Sequence, residues 1–108
     1  MKIAYLEAGL LLDYWVAKAQ GLDVDVQNGQ VIAGAAPNHY VFAPSMNWAQ
    51  AGPIIEREQI DLVCDFGRWM AMHVRRKDYS RPDVSPLVAA MRAYLMWEYG
   101  DELPSSTE

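Results

Sequence analysis

What the chain lacks narrows it first. A single cysteine, Cys64, leaves no intramolecular disulfide and no zinc centre built from several thiolates. The two histidines, His39 and His73, stand far apart with no His-x-x-His or Glu-x-x-His spacing, so no metal site is expected. Bases are outnumbered, with 9 lysines and arginines against 14 acids and a formal charge of −5. Phosphate backbones repel such a balance, so general nucleic-acid binding is not expected. No apolar stretch approaches the roughly 20 residues of a bilayer-spanning helix, and no signal-peptide pattern is seen near Lys2. The expectation is a cytoplasmic protein without membrane association. Phosphate-cradling glycine loops and the Gly-x-Ser-x-Gly elbow are missing too, and Ser45 reads better as a helix cap than as a nucleophile. No catalytic residue and no cofactor is therefore expected.

What is present describes one globular domain. At 108 residues, two independent cores would each be too small to bury enough surface. A hydrophobic fraction of 52% with 21% charged residues is that of a folded protein, and four tryptophans with six tyrosines promise an aromatic core or binding surface. Residues 6–20 predict a helix with Leu12, Trp15, Val16 and Ala19 on one face, starting after Gly9 if that glycine weakens the first turn. Gly21 supplies the stop. Alternation in residues 22–26, the Asn28-Gly29 pair and Val31-Ile32 predict a β-hairpin. Residues 34–45, with glycine, two prolines, asparagine and histidine, read as a surface loop.

A short helical turn at residues 48–50 follows, interrupted by Gly52-Pro53, with a second short helix over 54–58. Residues 60–66 and 69–74 predict an antiparallel pair turning at Gly67, with Cys64 as a buried small hydrophobe and His73 as a hydrogen-bonded structural histidine. Arg75-Arg76-Lys77 reads as a solvated loop. Ser85 and Pro86 begin the last helix, which ends at Gly100 and turns Leu87, Met91, Tyr94 and Leu95 to one side. The fold class is α+β: a small, mainly antiparallel sheet of about four strands packed with three helices. Residues 1–102 form the domain, and 103–108 a frayed tail.

The central block offers recognition chemistry. Trp48 gives a stacking face, Ser45, Asn47 and Gln50 polar groups, Glu56 an acceptor, and Arg57 a fork for phosphate or carboxylate. The plainer reading has Trp48 plugging the core beneath the loop and Arg57 pairing with a nearby acid. Trp15 is expected in the core, and Trp97 half-exposed near the helix end, at a subunit contact.

Three blocks, in order along the chain, resemble the NinX-like family of small phage accessory proteins. They are residues 12–21, from Leu12-Asp13-Tyr14-Trp15 to Gln20-Gly21; residues 42–58, containing Pro44-Ser45, Asn47-Trp48-Ala49-Gln50 and Gly52-Pro53-Ile54-Ile55-Glu56-Arg57-Glu58; and Pro86-Leu87-Val88-Ala89-Ala90-Met91-Arg92 with Gly100-Asp101-Glu102. Met46-Asn47 stand where the family tends to have threonine and aspartate. The resemblance implies a phage or prophage origin and an accessory role in the infected cell; it hands over no site. The leading functional expectation is a non-catalytic binding protein, possible as a homo-oligomer, whose target is a host protein or a small anionic nucleotide-like metabolite. The alternatives are a small enzyme using Glu56, Arg57 and His39, and a structural component of the virion.

Overall fold

The last helix, α3 (Pro86–Tyr99), is the axis of the molecule. In the computed structural model, which describes residues 1–104, every side chain from Leu87 to Met96 is buried. Its sequence explains why: Leu, Val, Ala, Met and Tyr occur on all sides, and a helix apolar all round must be covered all round. The expected single face of Leu87, Met91, Tyr94 and Leu95 is therefore only part of what α3 buries. Ser85 accepts from the Val88 amide as N-cap, Pro86 opens the first turn, and Gly100 at φ 83° ends the helix.

The 3-10 turn, the other two helices and the second sheet pack on this axis, and the first sheet packs on the first helix. A 3-10 turn (Ile3–Tyr5) precedes α1 (Leu10–Ala19), which begins after Gly9 and stops at Gly21, φ 73°. Strands β1 (Val24–Gln27), β2 (Gln30–Ala33) and β3 (Tyr40–Val41) form one antiparallel sheet in that order. Asn28 and Gly29, at φ 53° and 75°, make the predicted tight turn. Strand β4 (Ile60–Asp65) pairs antiparallel with β5 (Arg68–His73) across Phe66-Gly67, which repeat that geometry at φ 52° and 77°. The class is α+β with three helices, as expected, but the strands divide into sheets of three and two rather than forming one sheet. The long α2 (Trp48–Glu58) stands in sequence between them, and the second sheet lies along α3.

Two further departures have local causes. The helix α2 runs unbroken through Gly52-Pro53. A proline ring normally pushes the preceding residue out of helical geometry by clashing with its Cβ, and Gly52 has none. The 34–45 segment is not all loop, because Tyr40 and Val41 pair with Ala33 and Ile32. That outer strand is covered: the Gln50 amide accepts from the Ala43 N–H at 2.7 Å and donates to the Val41 carbonyl at 2.8 Å. One side chain of α2 thus takes the place of a neighbouring strand and blunts the edge.

Cys64 is exposed, because the half-buried face of β4 fades toward the hairpin tip, where Phe66 stands in solvent. Arg76 is not merely solvated. Its Nη1 donates to the Met96 carbonyl at 2.8 Å and its Nη2 to Asp101 at 2.6 Å, closing the C-terminal end of α3. Of the expected tail, Leu103 and Pro104 are half-buried, and the Leu103 amide donates to the Met1 carbonyl at 3.0 Å. Residues 105–108 lie outside the described residues.

Candidate functional site

The six residues singled out from sequence do not assemble into one pocket. Ser45 is buried and structural: its N–H and hydroxyl donate to the two Asp13 oxygens at 2.8 and 3.0 Å, and its Oγ accepts from the Gly9 amide at 3.0 Å. Asn47 is the N-cap of α2, accepting from the Ala49 amide at 2.9 Å. Gln50 is committed to β3, as above. Trp48 is 55% exposed at the start of α2, so it does not plug the core. Glu56 and Arg57 are exposed near the helix end, with Arg57 Nε 3.3 Å from Glu58. Trp48 and Arg57 are nine residues apart on α2, which places them about 13 Å and half a turn from each other. His39 lines a different depression, beside Asp23 and Asp25.

His73 behaves as a structural histidine. It is buried, its Nδ1 accepts from the Arg75 amide at 3.1 Å, and its ring stacks on Trp97 at 4.8 Å between centroids. With Nδ1 acting as acceptor, Nε2 carries the proton and donates to Glu58 at 2.8 Å. Partial burial pushes the Glu58 carboxyl up, but the bonds from His73 and Arg57 outweigh it and hold the group below its usual range.

A different set of residues forms a cleft. Three separate stretches meet at the start of α3: Tyr5 at the end of the 3-10 turn with Glu7 and Ala8 after it; Arg81, Asp83, Val84 and Ser85 before the helix; Val88 and Arg92 on the helix itself. The cleft encloses ≈ 430 Å³, within the range of small-molecule sites. The segment carrying Arg81 is held as an added edge to β5, with Trp69 and Asp83 exchanging backbone bonds of 2.7 and 3.0 Å. The backbone at Arg81 is therefore set by the sheet, and Arg92 by α3.

The electrostatics centre on Arg92, which is 4% exposed. Its Nε donates to the Leu6 carbonyl at 2.7 Å. Its Nη1 lies 3.5 Å from Asp83 Oδ1 and has no hydrogen-bond partner among the described residues. Burial drives the guanidinium pKa down, and Asp83 partly offsets that. Asp83 is shared, because its other oxygen accepts from the Ser85 amide at 3.0 Å. Above this buried charge, the Arg81 guanidinium sits over the Tyr5 ring at 4.6 Å and makes no ion pair among the described residues. Glu7, on the same wall, is likewise without a cationic partner among them. The N-terminal end of α3 adds its partial positive charge. The cleft can thus take an anionic group on its arginines, a flat ring against Tyr5 and Val84, and a hydroxyl or amine donor on Glu7.

Sequence reasoning passed over this site. One signal was available: Arg92 interrupts the otherwise apolar run from Leu87 to Met96, and a guanidinium at such a position needs partners.

Fold and site define a small α+β domain with one polar, arginine-bearing cleft at the head of its central helix. The chain belongs to a phage family, NinX, since the family described as "Bacteriophage P22, NinX" matches residues 2–98. The match takes in α1, α2, α3 but for its last residue, both sheets and every cleft-lining residue. No curated protein matches the chain. Among the described residues no helix is long and apolar enough to cross a membrane.

Proposed function

We propose that this phage accessory protein is a non-catalytic binding protein that captures a small, anionic, nucleotide-like metabolite in the Arg81–Arg92 cleft, acting in the cytoplasm of the host cell. The observation that carries this reading is Arg92, a buried guanidinium with an unbonded nitrogen in the wall of a cleft of ≈ 430 Å³. Buried charge is expensive unless paired and hydrogen-bonded; Asp83 at 3.5 Å pairs Arg92 only loosely, so a negative group held at Arg81 beside it adds favourable charge without having to reach the enclosed Nη1. Arg81 adds a second guanidinium, which balances Glu7 and Asp83 on the same walls, and Tyr5 offers a ring for stacking. A binding role fits better than turnover because the cleft's only hydroxyl nucleophile on α3's lip, Ser85, is spent capping the Val88 amide. The overall acidity of the chain makes these arginines the local exception and favours a small ligand over a nucleic-acid backbone.

Native mass spectrometry of protein freshly purified from bacterial cytoplasm tests the reading and counts subunits in the same spectrum. A discrete added mass of nucleotide size, lost in Arg81→Gln, is expected. A bare protein that also fails to take up added nucleoside monophosphates overturns it.

A further inference from the structure

A second small site lies away from the arginine cleft. A depression of ≈ 100 Å³ opens between the start of α1, the β1–β2 turn with β2, and the segment before α2. Leu10, Val41 and Met46, all exposed, form its apolar rim, and Asp13 lines its inner wall. Asp13 is 3% exposed, yet no lysine, arginine or histidine pairs with it among the described residues. Its only bonds come from the Ser45 N–H and hydroxyl, one to each oxygen. A carboxylate has about four acceptor sites, so each oxygen keeps one lone pair.

We propose that this depression is a recognition pocket for the lysine side chain of a partner protein, with Asp13 receiving the ammonium and Leu10, Val41 and Met46 packing on the alkyl stem. Charge complementarity selects the occupant. Buried charges are normally paired, and the cation missing from inside the chain is supplied from outside it. The chain's net charge of −5 draws basic partners as well. Lysine fits better than arginine, since its compact ammonium on a slender alkyl stem suits a depression of only ≈ 100 Å³. A guanidinium fork wants both carboxylate oxygens in plane, and Ser45 already holds one side of each. Burial also pushes the Asp13 carboxyl up to about 6, so it is ionised at neutral pH and has something to gain from a cation.

The test is an NMR titration of the full, 15N-labelled chain with Nα-acetyl-lysine methylamide at neutral pH. Saturable shifts at Leu10, Asp13 and Met46 are expected, with no comparable response to the norleucine analogue, which has the stem without the charge. Asp13→Asn keeps the bond accepted from the Ser45 N–H, turns its amide NH2 toward the Ser45 Oγ as a donor, and is expected to weaken binding at least tenfold. Met46→Lys, at an exposed rim position, is expected to block the pocket with its own ammonium; it decides the matter if Asp13→Asn does not fold. The proposal is overturned if no saturable shift occurs, if norleucine binds equally, or if both variants bind like the parent. Tighter binding of the arginine analogue would replace lysine with a guanidinium. Tighter binding of spermidine would replace the protein partner with a free polyamine. None of these residues lies in the arginine cleft, so either site can fail without the other.

Discussion

Asp13 and Arg92 are buried to nearly the same degree but are held in opposite ways. Arg92 has a charged neighbour in Asp83 and a carbonyl from Leu6, and still leaves one nitrogen unbonded. Asp13 has no cationic partner among the described residues, and instead receives two bonds from Ser45. A carboxyl can answer burial by taking up a proton, whereas a guanidinium cannot lose one in practice. The difference teaches where each site's chemistry comes from. At Asp13 the fold leaves protonation and an outside cation as alternatives, and at Arg92 it leaves only an anion.

Removing Arg92 should have the largest effect. Arg92→Ala strands Asp83 and the Leu6 carbonyl and opens a void beside α3, for an expected loss of about 3–5 kcal/mol in urea denaturation. A loss under about 1 kcal/mol would mean that the residue is placed for its ligand rather than for the fold. The Asp13 effect is smaller and depends on pH. Burial raises its folded-state carboxyl from 3.8 to about 6, so the native state binds the proton more tightly than the unfolded chain. The resulting stabilisation is fully present below pH 3.8 and is lost as pH rises through about 6. Two pH units correspond to roughly 3 kcal/mol. The stability of the parent should fall by this amount as pH rises across that window, and that of Asp13→Asn should not.

Gln50→Ala comes next, expected to cost roughly 1–2 kcal/mol by leaving the Val41 carbonyl and Ala43 amide unpaired, with increased hydrogen exchange at Ala43. Asn47→Ala should cost about 1 kcal/mol through the lost cap. Arg81→Gln should change stability by no more than about 0.5 kcal/mol, because the residue makes only an exposed cation–π contact. That near-zero effect is what makes it the clean probe of the cleft.

Much of the fold was legible in the sequence, and the reasons are local. Asn28-Gly29 dictates its turn through two positive φ values, and Ser85-Pro86 with Gly100 brackets α3 by capping alone. The continuity of α2 was hidden because Gly52-Pro53 reads as a break wherever it occurs, although a glycine before the proline removes the clash that makes one. The strand β3 was hidden because two residues carry no periodicity; it exists through pairing with β2 and the Gln50 amide. Ser45, Asn47 and Gln50 drew notice as polar residues near an aromatic, and each turned out to hold backbone. The arginine cleft was the least legible part. It joins Leu6 to Arg92, 86 positions away, and no window along the chain contains both.

The most direct test of the binding role is calorimetric titration of the parent protein and Arg81→Gln with a panel of nucleoside monophosphates, and with the matching nucleosides as neutral controls. Saturable binding of at least one monophosphate, weakened tenfold or more by Arg81→Gln and absent for its nucleoside, is the predicted result. If no monophosphate binds, or if the variant and the neutral nucleosides bind as tightly as the parent does its anion, the arginine cleft is not an anion site.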